Sequence, residues 1–199
     1  MTTPQSQQRP QVIVVAGPAA SGKTTLARAM ARRAGFAHVD LDDATGPLVG
    51  QILHSRGEPA HALDLETGRR LRPARYDTVV GLVRANLHLG VVLSAPCTKE
   101  TSSLDSWESW CTRLTPEGID GVRLVVVSTS SDVITRRLRD RGEPRDALKI
   151  SGDVEGPRPA PAVAHVVADG VGEVESEVSR VLTELGVTVA GPERLTCSS

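Results

Sequence analysis

Apolar and polar positions along this chain switch repeatedly between two spacings. Val12–Ala16 is an unbroken apolar run rich in β-branched residues, the pattern of a strand buried on both faces of a parallel sheet. Over Lys23–Ala34 the spacing changes. Leu26, Ala29, Met30 and Arg33 recur at helical intervals, and Gly35 stands where a C-terminal cap belongs. The exchange then repeats. Residues 36–40 read as a strand ending in acids, 73–89 as a long helix stopped by Gly90, and 91–95 as the strand that follows. Residues 103–114 read as helix, Val122–Ser128 as strand, 132–141 as a basic helix, 163–168 as a fifth strand and 173–185 as a last helix. Five strands alternating with helices predict an α/β domain: a mainly parallel sheet, right-handed crossovers, helices on both faces, and ligands outside the carboxyl ends of the strands. Residues 142–161 mix Gly, Pro and charge without a period, which predicts a mobile flap. The polar residues 1–10 predict a disordered start, 11–185 the folded domain, and 186–199 a tail.

Between the first strand and the first helix lies Gly17-Pro18-Ala19-Ala20-Ser21-Gly22-Lys23-Thr24, which matches G-x-x-x-x-G-K-T in the context that this motif requires. Its glycines let the backbone curl so that successive amides point inward, and with the helix N-terminus they make a nest for a β-phosphate. Gly17, Ala19, Ala20, Ser21 and Gly22 supply that cradle. By position Lys23 reaches the β- and γ-oxygens, Thr24 brings a hydroxyl to a bridging Mg²⁺, and Thr25 meets the α-phosphate. The expected cofactors are ATP and Mg²⁺.

Composition narrows the partner. With 23 basic and 24 acidic residues the chain has no general field to draw it to nucleic acid or an anionic membrane. Phe36, Tyr76, Trp107 and Trp110 are its only aromatic residues, too few for a single-strand stacking platform, and they disfavour a nucleobase acceptor as well. Cys97, Cys111 and Cys197 share no metal-ligand spacing and fit reduced thiols in a cytoplasmic protein. No apolar run approaches a membrane span. The five histidines show no metal spacing either.

The phosphate loop, the acidic strand end Val39-Asp40-Leu41-Asp42-Asp43, the segment Ala74-Arg75-Tyr76-Asp77, the stretch from Val91 to Pro96 and the basic run from Arg137 to Asp146 together resemble the small-molecule kinases of the P-loop class, the shikimate kinase, gluconate kinase and chloramphenicol phosphotransferase group. The resemblance spans most of residues 11–185 and implies a three-layer P-loop fold with strand order 2-3-1-4-5 and a lid over about residues 137–160. It also implies roles. Asp40 would help hold Mg²⁺ or accept the hydroxyl proton, and Asp42 would bind the acceptor. The alternative for both, and the better reading of Asp43, is capping of the next helix. In the lid, Arg137 would lie against adenine and Arg141 on phosphate, with Arg145 on the same face; a solvated basic helix face is the alternative. A lid guanidinium that closes over the γ-phosphate stabilises transition-state charge and excludes water. One departure is Ser94, which stands where many P-loop proteins carry a metal-side acid.

On the acceptor side Thr98 and Lys99 follow the third strand, and Arg69, Arg70, Arg72, Arg75 and Tyr76 lie where such kinases cover the acceptor. Trp107 and Trp110 either wall that pocket or pack the core, the commoner use. The leading expectation is an ATP-dependent phosphotransferase that acts on a hydroxyl of a small molecule: a metabolite, a sugar acid or an antibiotic-like compound. The alternatives are a nucleoside, nucleotide or polynucleotide kinase, and a non-catalytic ATP-binding module.

Overall fold

The first strand, β1 (Val12–Ala16), is buried along its whole length, and its side chains divide between two cores. Val12, Val14 and Ala16 point into one and Ile13 and Val15 into the other, because successive strand residues face opposite ways. An unbroken apolar run is therefore what a central strand needs. The computed structural model describes residues 11–59, 66–143, 146 and 160–187. The expectations for residues 1–10, for most of the 142–161 flap, for Arg145 and for the tail from residue 188 lie outside the described residues.

β1 leads to α1 (Lys23–Ala34), β2 (Ala37–Asp40), α2 (Leu41–Ser55) and α3 (Glu66–Ala85). A 3₁₀ turn over Leu87–Leu89 feeds β3 (Val91–Ser94), then α4 (Leu104–Leu114), a second 3₁₀ turn, β4 (Val122–Ser128), α5 (Ser131–Arg141), β5 (Val166–Asp169) and α6 (Val174–Glu184). All strand pairs are parallel, in the order β2-β3-β1-β4-β5, which is the order that the resemblance implies. The register sets Val12 beside both Val91 and Val122. Strand ends therefore come level, and the loops after β1, β2, β3 and β5 converge on one edge.

Helices α3 and α4 cover one face with Tyr76, Val79, Val83, Trp107, Trp110, Cys111 and Leu114. Helices α1 and α6 cover the other with residues that include Leu26, Met30, Val178, Val181 and Leu182. Val187, beyond α6, also packs into this second core. A fully buried aliphatic side chain contributes about 1.5–3 kcal/mol, so two cores on one five-stranded sheet hold the chain without disulfides. Cys97 and Cys111 are buried in the core. Gly90 allows the turn into β3: its φ is 76°, and a Cβ there would stand 2.7 Å from the ring of Phe36.

Several elements depart from the sequence pattern. The helix expected over 73–89 starts at Glu66, seven residues earlier, and carries Pro73 inside it. Reading Pro73 as a first-turn residue overlooked its neighbours. Leu71 packs against Val49 and Leu53, and Arg72 is fastened to Glu100, so tertiary contacts continue the helix through a residue that cannot donate. The extent of α2 was not foreseen, since Gly46, Pro47 and Gly50 argue against a helix. Its signal is the buried stripe Leu41, Thr45, Val49 and Leu53, one residue every four. The fifth strand starts at Val166 rather than at 163.

Candidate functional site

The carboxyl edge of the sheet opens onto a cavity of about 810 Å³. Its floor is the phosphate loop. Ala20 and Gly22 take left-handed backbone conformations, φ 59° and 98°, and turn the chain into α1. No side chain caps that helix and no acidic residue stands in its first turn, in contrast to α2 and α6. The positive end of the helix dipole is thus left for an external anion. Ala19, Ala20, Gly22, Lys23, Thr24 and Thr25 line the cavity, while Gly17 and the fully buried Ser21 lie behind it. The Lys23 ammonium donates to the carbonyl of Pro18 at 3.3 Å, folded over its own loop.

Behind the loop stand Thr129 and Gly170, which sequence reasoning did not single out, and Arg137, which it set against adenine. The Thr129 hydroxyl donates to the carbonyl of Ser21 at 2.9 Å. Arg137 donates to the carbonyls of Ala20 at 3.2 Å and Gly170 at 2.8 Å, and so ties the phosphate loop to the turn after β5. Gly170 packs so closely that a Cβ would stand 2.0 Å from the Thr129 oxygen and 2.2 Å from the carbonyl of Ser21. That turn, Asp169, Gly170, Val171 and Gly172, forms the far wall of the cavity with Val174. Its signal in the sequence was a Gly-x-Gly directly after an apolar strand, at the same sheet edge as the phosphate loop.

At the end of β2, Asp40 is both a cap and a site residue. One carboxylate oxygen accepts the amides of Asp42 and Asp43 at 2.8 and 3.1 Å, the N-cap of α2. The other accepts the Thr24 hydroxyl at 2.9 Å, and the Ser94 hydroxyl lies 3.4 Å from that of Thr24. Burial raises the pKa of Asp40, but the amide of Asp43, the hydroxyls of Thr24 and Ser94 and the amide of Asp42 outweigh it and hold the group below its ordinary value. An ionised carboxylate beside two hydroxyls is a hard oxygen set that suits Mg²⁺, and Thr24, Asp40 and Ser94 are the residues that could hold it. Asp43 is not the cap: it pairs at the surface with Arg28 at 3.3 Å.

Asp42 and Arg75 line the cavity together with Pro96 and Thr98. Arg75 donates to Asp42 at 2.6 Å and, through Nε, to Thr45 at 2.9 Å. Arg137 and Arg141 reach the cavity from α5, and Arg141 pairs with the buried Asp146 at 3.3 Å. Three acceptor-side expectations are corrected. Arg69 and Lys99 point to solvent and do not line the cavity, and Tyr76 belongs to the core. Tyr76 accepts the amide of Cys97 at 3.3 Å through its hydroxyl, carries the Arg72 guanidinium 4.0 Å over its ring, and packs on Trp110. Trp107 and Trp110 are core residues too. Among the described residues no helix is long and apolar enough to cross a membrane.

Comparison with known proteins places this geometry in context. A family model described as an AAA domain matches residues 12–153. A cytidylate kinase of Thermotoga petrophila is 39% identical over 74 residues, which are 37% of this chain and 33% of that protein. The chain thus matches about a third of the length of this curated relative. Among solved structures, the chain is similar to a gluconokinase from Sinorhizobium meliloti 1021, with TM-score 0.57, 22% identity, and 89% of this chain and 93% of that one covered. It is similar also to shikimate kinase from Aquifex aeolicus, with TM-score 0.59, 18% identity, and coverage of 88% and 96%. These two are likenesses of fold, and the fold is that of a small P-loop kinase. Because the family model spans well over half of it, the chain belongs to the AAA domain family.

Proposed function

We propose that this protein is an ATP-dependent phosphotransferase that moves the γ-phosphate of ATP to a hydroxyl of a small molecule. The observation that carries the proposal is one cavity lined by the phosphate loop, Asp40, Arg137 and Arg141 together with Asp42, Arg75 and Thr98. Ala20 to Thr25 would hold the phosphates of ATP, and Arg137 and the 169–172 turn would face its base. Thr24 and Asp40 would hold Mg²⁺, which would supply neutralisation of phosphate charge. Phosphoryl transfer needs in-line placement and charge neutralisation more than a strong base. Asp40, which accepts from the Thr24 hydroxyl and the amides of Asp42 and Asp43 and has its pKa lowered, keeps the metal side negative. Asp42 orients the acceptor hydroxyl and receives its proton as that oxygen bonds to phosphorus and the bond to ADP breaks. Lys23 and Arg141 stabilise the charge on the transferring group.

A nucleotide acceptor is the second reading, favoured by the local similarity to a cytidylate kinase. Against it, all four aromatic side chains are buried, Phe36 at 8% exposure and Tyr76, Trp107 and Trp110 at 4% or less, so none offers a ring to a base. Turnover of MgATP with nucleoside monophosphates, nucleosides, sugars and antibiotics, with each product weighed for one added phosphate, separates the two. Rapid turnover restricted to a nucleoside monophosphate would reverse the order.

A further inference from the structure

Helix α3 carries four arginines in seven residues at the acceptor end of the site, and the structure gives most of their charge away before any acceptor arrives. Arg70 pairs with Glu66 at 3.4 Å on the surface. Arg72 turns from the cavity and binds both oxygens of Glu100, at 2.8 and 2.6 Å. Arg69 faces solvent. Only Arg75 reaches the cavity wall, and it holds Asp42 at 2.6 Å while its Nε is taken by Thr45. The described acceptor wall of Asp42, Arg75, Pro96 and Thr98 therefore has one positive and one negative charge, in contact.

That pairing bears on the acceptor. An anion that meets Arg75 also meets Asp42 a few ångströms farther on, and Coulomb energy falls only as the inverse of distance, so most of the attraction is cancelled. Tight capture of a phosphate or carboxylate uses charge-assisted, paired donors from an uncompensated guanidinium. A hydroxyl group needs neither. It donates to Asp42, which keeps 48% of its side chain exposed, and accepts from Thr98 or the remaining N–H groups of Arg75.

Resting on the phosphotransferase reading, we infer that the acceptor is an uncharged hydroxyl compound, selected by the compensated Asp42–Arg75 pair against phosphorylated and carboxylated acceptors. The test loads the full chain with Mg²⁺ and a non-hydrolysable ATP analogue, so that the donor end is filled, and titrates CMP and gluconate by calorimetry. Both should bind wild type no more tightly than about 1 mM. Asp42→Asn and Asp42→Ser, two different ways of releasing Arg75, should each bind both anions at least about tenfold more tightly, and adding Arg75→Ala should remove the gain. Micromolar binding of either anion to wild type, or no gain in both Asp42 variants, would overturn the inference. The titration needs no turnover. Absence of phosphorylated product from every hydroxyl compound would instead strike at the phosphotransferase reading and leave this result legible.

Discussion

At Asp40 one carboxylate joins two structures: one of its oxygens caps α2 and the other receives the Thr24 hydroxyl. The two roles separate by substitution. Asp40→Asn keeps a capping oxygen but not the charge, so it should retain α2 and lower phosphoryl transfer by about 10²-fold, whereas Asp40→Ala should also lose about 1 kcal/mol of stability. Equal stability losses in urea melts of the two variants would show that capping is not the distinction. The pKa adds a pH signature. Because the native carboxyl lies below its ordinary 3.8, its ionised form contributes stability at all pH values above that, and the contribution disappears as pH falls through the native value. The stability gap between wild type and Asp40→Ala should therefore narrow on acidification below pH 3.8. A gap that widened there would contradict the assignment. Lys23→Met should cut turnover by about 10²–10³-fold with an unchanged circular dichroism spectrum. Undiminished turnover would remove Lys23 from the chemistry.

Among elements, the phosphate loop draws its shape from its neighbours as well as from its own glycines. Thr129 from the loop after β4, Arg137 from α5 and Gly170 from the turn after β5 all bear on its carbonyls. Gly170→Ala forces a methyl group into the Thr129 oxygen and the carbonyl of Ser21, so the loop must move. MgATP affinity should fall about tenfold or more while the melt remains cooperative. Unaltered MgATP binding by calorimetry would show that the brace does not set the loop. This brace marks the limit of what the sequence discloses. The motif residues and five strands were legible because buried strands and phosphate nests impose local patterns. Thr129 and Gly170 are 108 and 149 positions from Ser21, and although the Gly-x-Gly at 170–172 marks a turn, nothing local shows that the turn meets the phosphate loop. Tyr76 misled for the related reason that its neighbours Arg75 and Asp77 are polar, while the helix turns only Tyr76, Val79 and Val83 inward.

Across the described residues, the parallel register brings the loops after β1, β2, β3 and β5 to one edge around the cavity, and β1 beneath it is divided between two cores. Layering followed from the alternation of elements and strand order from the resemblance, but the pairing of Asp42 with Arg75 in the cavity wall followed from neither. Three of the four arginines over residues 69–75 of α3 have carboxylate partners, 28 and 33 positions away or on the adjacent turn, and only the fold sets the distant ones beside them. The central claim, transfer of a phosphate from ATP to a small hydroxyl compound, is tested most directly by incubating the protein with MgATP and a panel of neutral hydroxyl compounds, sugar acids, nucleosides and nucleoside monophosphates, and weighing the products. The expected products are ADP and an acceptor from the neutral group heavier by one phosphate. ATP consumed with phosphate released to water and no acceptor modified anywhere in the panel would contradict it.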